Sequence, residues 1–325
     1  MPRQARLDIP GALHHIMVRG INKAKIFDDD QDRARFLERL GRNVLAGNCS
    51  VYAWVLMDNH VHILFKSGSH GISAVMRKQL AWYAQYFNRR HKRTGHLFEN
   101  RYKSILCDED NYLLALVRYI HLNPLRANIV KTIQELGRYP FCGHRTIIGK
   151  ADHPWMDVNY VLHQFGNTRR KGLLEYRQFM REGIKLGRQP ELTGGRLLRS
   201  VGGWSQVIAR RRSGNKEEGD ERILGSGAFV HAILKETEER ELRQLKLKRS
   251  GKTIRKIIDE ECEKSGISPQ EVMNGVRRRV VSKLRSAIAL RGRTELGLSS
   301  AEMARHLGVA AASISRLIVA NEGRR

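Results

Sequence analysis

The sequence predicts an α+β fold: a ferredoxin-like antiparallel sheet with covering helices, then a mostly irregular and helical middle region, then an all-α carboxyl segment. Three observations lead there. Apolar residues in the first 130 positions alternate between period two and helical spacing, in the order strand, helix, two strands, helix, strand, helix. The last 90 residues show helical spacing only, ending in a helix–turn–helix pattern. The 325-residue length is that of two or three domains, and 41% hydrophobic residues suffice for sizeable cores. The resulting division is 1–130, 131–235 and 236–325.

The elements follow in order. His14 to Val18 reads as a first strand ending at Arg19 and Gly20. Asp28 to Asp32 is an acidic helix start, continued by Phe36, Leu37, Leu40 and Val44 and stopped near Gly47 and Asn48. Ser50 to Leu56 and His60 to Phe65 are strands joined by a turn at Met57, Asp58 and Asn59. A helix through Val75, Leu80, Tyr83 and Phe87 ends in a basic run from Arg89 to Arg93. A short strand lies within Leu97 to Leu106. Asp108, Glu109 and Asp110 then open a helix through Leu113, Leu116, Val117 and Ile120, which Pro124 ends. In the middle, Gly194, Gly195, Gly202, Gly203 and Trp204 mark turns, and Arg210 to Asp220 reads as an exposed linker. Near the carboxyl end, Ser299 or Ser300 caps a helix with Glu302 at the reciprocal position. Gly308 and Val309 then turn the chain into a second helix, giving a helix–turn–helix near 298–318.

Charge narrows the partners. The 59 lysines and arginines against 33 acidic residues leave +26. All three parts share it: 20 basic against 11 acidic in 1–130, 20 against 13 in 131–240, and 19 against 9 in 241–325. A polyanion is the expected partner of each. No apolar run reaches the roughly 18 residues of a membrane span, and no amphipathic aromatic-anchored helix matches the charge, so a membrane partner is not expected. Four scattered cysteines without a CxxC argue for reduced cytoplasmic thiols.

Chemistry concentrates at two places. His60 and His62 straddle Val61 on a strand, so both imidazoles leave one face. Tyr119 and Asn123 lie four residues apart, which puts a phenol and a carboxamide on one helical face. Two imidazoles can hold a divalent metal that polarises a phosphate, and a phenol can attack it. Half-exposed strand histidines and helix-end packing residues would give the same pattern.

The blocks MDNHVHIL at 57–64, GHLFENRYKS at 95–104 and YIHLNPLRANIV at 119–130, with the opening strand and Arg19–Gly20, resemble the IS200-type single-tyrosine HUH transposases. The likeness is to the group associated with repetitive extragenic palindromes, and covers roughly residues 10–130. It implies His60 and His62 as metal ligands for Mg²⁺ or Mn²⁺, and Tyr119 as the nucleophile. Asn123 stands where relatives often carry glutamine as the remaining ligand, one methylene longer. It implies single-stranded hairpin DNA as substrate, a 5′-phosphotyrosine intermediate and a homodimer. Candidate DNA contacts are Arg19, Arg77, Lys78, Arg89, Arg90, Arg101, Lys103 and Arg126, with Tyr102 as a base-stacking residue. IRKIIDEECEKSGISPQEVM at 254–273, with the pattern after it, resembles the duplex-binding domain of the bacterial initiator DnaA. Ser313, Ser315 and Arg316 are its candidate duplex-DNA contacts, although Gly308 to Ala312 lacks that domain's usual polar recognition groups. Two other readings remain: a non-catalytic DNA-binding regulator on this scaffold, and a metal nuclease using water.

Overall fold

The computed structural model describes residues 6–68, 71–187, 189, 192, 220–276, 278–311, 313, 314, 317 and 318. The glycine turns at 194–204 and the linker at 210–220 lie outside them, except for Asp220, which is buried and so departs from the exposed linker expected there. The chain divides into two compact units, Met1–His231 and Ala232–Arg325.

In the first unit, β1 (Leu13–Arg19), α1 (Asp30–Ala46), β2 (Ser50–Met57), β3 (His60–Lys66), α2 (Ser73–Arg90), β4 (Lys103–Cys107) and α3 (Glu109–His121) follow the order read from the sequence. A short β5 (Ile223–Leu224) completes a sheet of order β2-β3-β1-β4-β5. The sheet is mixed, which corrects the antiparallel expectation. The first four strands pair antiparallel, but β5 runs parallel to β4. Ile223 and Leu224 are fully buried there, and their pairing covers an edge that β4 would otherwise leave open. Two residues are too few to show any periodicity.

Local signals set the helix ends. The Asp29 carboxylate accepts from the Asp32 amide at the start of α1, and Asp30 and Asp32 put negative charge in its first turn. The helices α1 and α2 lock together through apolar rings and one buried amide pair. Phe36 and Tyr83 meet edge to face at 5.0 Å, and Asn43 Nδ2 donates to Gln79 Oε1.

Residues 131–184 share the core of the sheet. Cys142 bridges to Val55 and Met156 to Val51, while Trp155, Val161, Tyr176 and Met180 are buried in the same cluster. Close approach demands glycine at two points: a Cβ on Gly41 would lie 2.4 Å from the Trp155 ring, and one on Gly143 would lie 2.9 Å from His121 Nε2. The Tyr176 hydroxyl, on the helix Arg169–Ile184, is shared by His121 Nδ1 at 3.0 Å and His144 Nδ1 at 2.7 Å. A phenol has one proton, so it donates to one imidazole and accepts from the other.

The second unit is helical: Gly227–Arg249 runs into it, followed by Ile254–Ser265, Pro269–Met273, Arg279–Leu296 and Ser300–His306. Its core is formed by Ile257, Ile258, Val272, Ile288, Met303, Leu307 and Ile314. Buried Arg285 donates to the carbonyls of Glu271, Val272 and Val276, satisfying the end of the short helix before it. Ser299 and Glu302 form the expected reciprocal cap. No helix among the described residues is long and apolar enough to cross a membrane.

Tyr176→Phe should cost about 1–3 kcal/mol, because it strands two buried imidazole nitrogens while removing no packing volume. Chemical denaturation of the full chain checks this, and an unchanged midpoint would contradict the shared-hydroxyl account.

Candidate active site

The strand register builds the site. Met17 lies opposite His62 and Arg19 opposite His60, so all four side chains leave one face of the sheet, while Val61 is buried on the other. Residue His15, two positions before Met17, shares that face. The α3 helix crosses it. The Tyr119 ring, in the last turn, stands edge-on to His62 and His15 with centroids 5.9 Å apart in each case. Asn123 follows at the first position of a short turn of helix, where Pro124 needs no amide partner. Its Nδ2 donates to the Tyr119 carbonyl at 2.9 Å, which commits the nitrogen side of the carboxamide and leaves the oxygen as its remaining acceptor.

These residues line one pocket of about 470 Å³ with Arg19, Arg101 and Lys103 as its cations and Glu99 as its carboxylate. The chemistry of the donor set fits a divalent metal. The His60 Nδ1 proton goes to Asn59 Oδ1 at 2.6 Å, so Nε2 carries the lone pair. Burial, then the Arg19 charge, lowers His60 to about 4. Burial also holds His62 well below the ordinary histidine value, helped by His15, His60 and Arg19. Both rings are therefore neutral near pH 7, the form that can ligate.

Some expected contacts fall elsewhere. Arg77 is exposed on α2 and joins Arg101 at a second cavity of about 650 Å³ with an apolar wall of Met76, Leu80 and Leu97. Arg89 is exposed and Lys78 half-buried on the same helix. Arg90 is held between Asp29 and Asp32, each at 2.5 Å, so two carboxylates match its charge. Arg126 lies beside the Tyr119 ring at 5.3 Å from its centroid. Tyr102 is buried: its hydroxyl meets Ser73 Oγ at 3.2 Å, and the Arg6 guanidinium covers its ring at 4.1 Å. Burial raises its phenol above the ordinary value. Ser313 is half-buried in the second unit, while Ser315 and Arg316 lie outside the described residues.

Two features were not singled out in the sequence. One is His15, whose Nε2 lies 2.9 Å from His62 Nδ1, both rings buried and stacked with centroids 5.1 Å apart. The other is a trio, Asp28, Asp32 and His91, whose ligand atoms lie within 4.8 Å of one another and could hold a divalent metal. Asp32 already bonds Arg90 through its other oxygen. The acidic run at 28–32 signalled a helix start; that His91 returns to it is a tertiary fact.

Comparison with known proteins bears on the same stretch. Residues 10–123 match the family model described as "Transposase IS200 like", which spans β1 through Asn123. This segment is similar to an IS200-like transposase domain. A solved structure, "the REP associates tyrosine transposase bound to a REP hairpin", aligns to 49% of this chain and 93% of its own at 18% identity and a TM-score of 0.38. No curated protein matches the chain.

The buried histidines of the first unit set a pH dependence. In the folded chain His14, His60 and His144 are each lowered to about 4 from 6.5, chiefly by burial. As pH falls, the unfolded chain binds protons first, so stability is full above about 6.5 and drains away down to about 4. Denaturant midpoints should fall through that window, less steeply in His60→Gln. A flat profile, or one His60→Gln leaves unchanged, would contradict the burial reading.

Proposed function

We propose that the protein is a metal-dependent DNA single-strand transferase that cleaves and rejoins hairpin-containing DNA through a 5′-phosphotyrosine link at Tyr119. The observation that carries this reading is the meeting of Tyr119 with His60 and His62 in one pocket with three cations. His60, His62 and the Asn123 carboxamide oxygen are the groups that would hold Mg²⁺ or Mn²⁺. Such an ion, when bound, polarises the scissile phosphate.

The remaining work belongs to the chain. Arg19, Arg101 and Lys103 bind the phosphate oxygens and fix the backbone of a single strand in the pocket. The Tyr119 oxygen attacks phosphorus as the bond to the 3′-oxygen breaks. The phenol gives up its proton and the departing 3′-oxygen gains one, so the balance needs neither water nor ATP. Attack by a 3′-hydroxyl on the phosphotyrosine reverses the step and joins strands. Because Asn123 bonds the Tyr119 carbonyl, the candidate oxygen ligand and the nucleophile are held at one helix end. Exposed Arg77 and Arg89 extend the basic surface beyond the pocket, and a homodimer is part of this reading.

In the second unit, Arg278, Arg279 and Lys283 are exposed near the start of the helix Arg279–Leu296, and Arg305 is exposed on the capped helix Ser300–His306. We assign duplex binding to this unit, with Ser313, Ser315 and Arg316 as the base-reading candidates of a DnaA-like module.

The test is a covalent-adduct gel with labelled single-stranded hairpins from the flanks of the gene and Mg²⁺ or Mn²⁺. Tyr119→Phe and a His60→Ala/His62→Ala double variant should each lose the adduct, and Tyr102→Phe should keep it. Cleavage that survives Tyr119→Phe without adduct would make the protein a water-using nuclease. Binding without cleavage would make it a DNA-binding regulator.

A further inference from the structure

We infer that His15 is a positioning residue: by accepting the His62 Nδ1 proton on its own Nε2, it turns the His62 Nε2 lone pair toward the pocket. The inference rests on the function proposed above.

The argument begins with one proton. His15 Nε2 and His62 Nδ1 lie 2.9 Å apart, both side chains buried, and a hydrogen bond between two neutral imidazole nitrogens holds a single hydrogen. Two arrangements share this geometry. With the hydrogen on His62 Nδ1, His62 Nε2 is a lone pair able to ligate a cation. With it on His15 Nε2, His62 carries its proton on Nε2 and presents only an N–H donor.

The surroundings choose between them. The pocket that His62 faces is lined by Arg19, Arg101, Lys103 and Tyr119, side chains that can donate. A lone pair facing them is stabilised, whereas one more N–H would oppose them. His15 is a fixed neighbour of His62. It sits on β1, the middle strand of the sheet, opposite Leu64 on one side and Ile105 on the other, with no exposure. Its ring stacks on His62 at 28° and meets the Tyr119 ring at 75°, so one side chain sets the orientation of the candidate ligand and borders the nucleophile. His60 has its own orienting acceptor in Asn59. Each candidate ligand is thus turned by a separate partner, as outer partners commonly do for ligating histidines.

The experiment uses the full chain without DNA. Ring ¹⁵N resonances of His62, assigned by their absence from His62→Gln, should show a proton on Nδ1 and none on Nε2 in the metal-free wild type. Titration with Mn²⁺ alone, followed by the free-ion paramagnetic signal, should show His15→Phe weaker by roughly 10–100-fold. His15→Gln, whose amide oxygen reaches the position of Nε2, should bind within a few-fold of wild type. A wild-type His62 protonated on Nε2 overturns the inference, and so does a folded His15→Phe that binds Mn²⁺ as well as wild type. Should His15→Phe fail to fold, the wild-type resonances and His15→Gln decide. A His62 protonated on Nδ1 in a protein that forms no DNA adduct would uphold the inference and sink the transferase reading.

Discussion

The antiparallel register between β1 and β3 is the constraint on which the pocket depends. With Met17 against His62 and Arg19 against His60, the middle strand delivers His15, Met17 and Arg19 to the face that carries the paired histidines. A slip of one residue would send His14, Ile16 and Val18 to that face and leave the histidines without the His15 ring and the Arg19 cation beside them. Burial of the opposite face by Ile16, Val18, Val61 and Ile63 makes such a slip costly, so the apolar core fixes the polar site.

Much of the site is legible locally. Period two along β3 assigns His60 and His62 to one face, and four-residue spacing assigns Tyr119 and Asn123 to one helical face. The Ser299–Glu302 cap is a local pattern as well. His15 is different, because its neighbour His14 has the same residue type and the same burial. Only pairing with β3 and β4 shows that one ring reaches His62 while the other meets Ser104. Arg90 reads as a surface cation until the start of α1 is seen to return two carboxylates to it. The strand β5 is too short to carry a pattern, and its parallel pairing depends on a distant segment meeting β4.

The middle of the chain shows the same contrast. Its short helical pieces are visible in the sequence, but their attachment to the sheet is not. That attachment runs through Trp155 against Gly41, the bridges to Val51 and Val55, and the hydroxyl of Tyr176. His121, one of the two imidazoles on that hydroxyl, lies two residues after Tyr119, on the other side of α3. Packing of residues 131–184 therefore steadies the helix that holds the tyrosine, which gives this region a structural part in the site.

Electrostatics separates two kinds of positive charge. Arg90 and Arg291 are absorbed by neighbouring carboxylates and hold elements together. Arg19, Arg101 and Lys103 border a pocket with a phenol and two neutral imidazoles, which suits a phosphodiester under attack. The most direct test of that account is to trap the protein on a hairpin substrate, digest it and locate the modified residue by mass spectrometry. The account predicts a 5′-phosphonucleotide on the peptide bearing Tyr119. A modification on Tyr102 or any other residue, or cleaved DNA with no modified peptide, would contradict it.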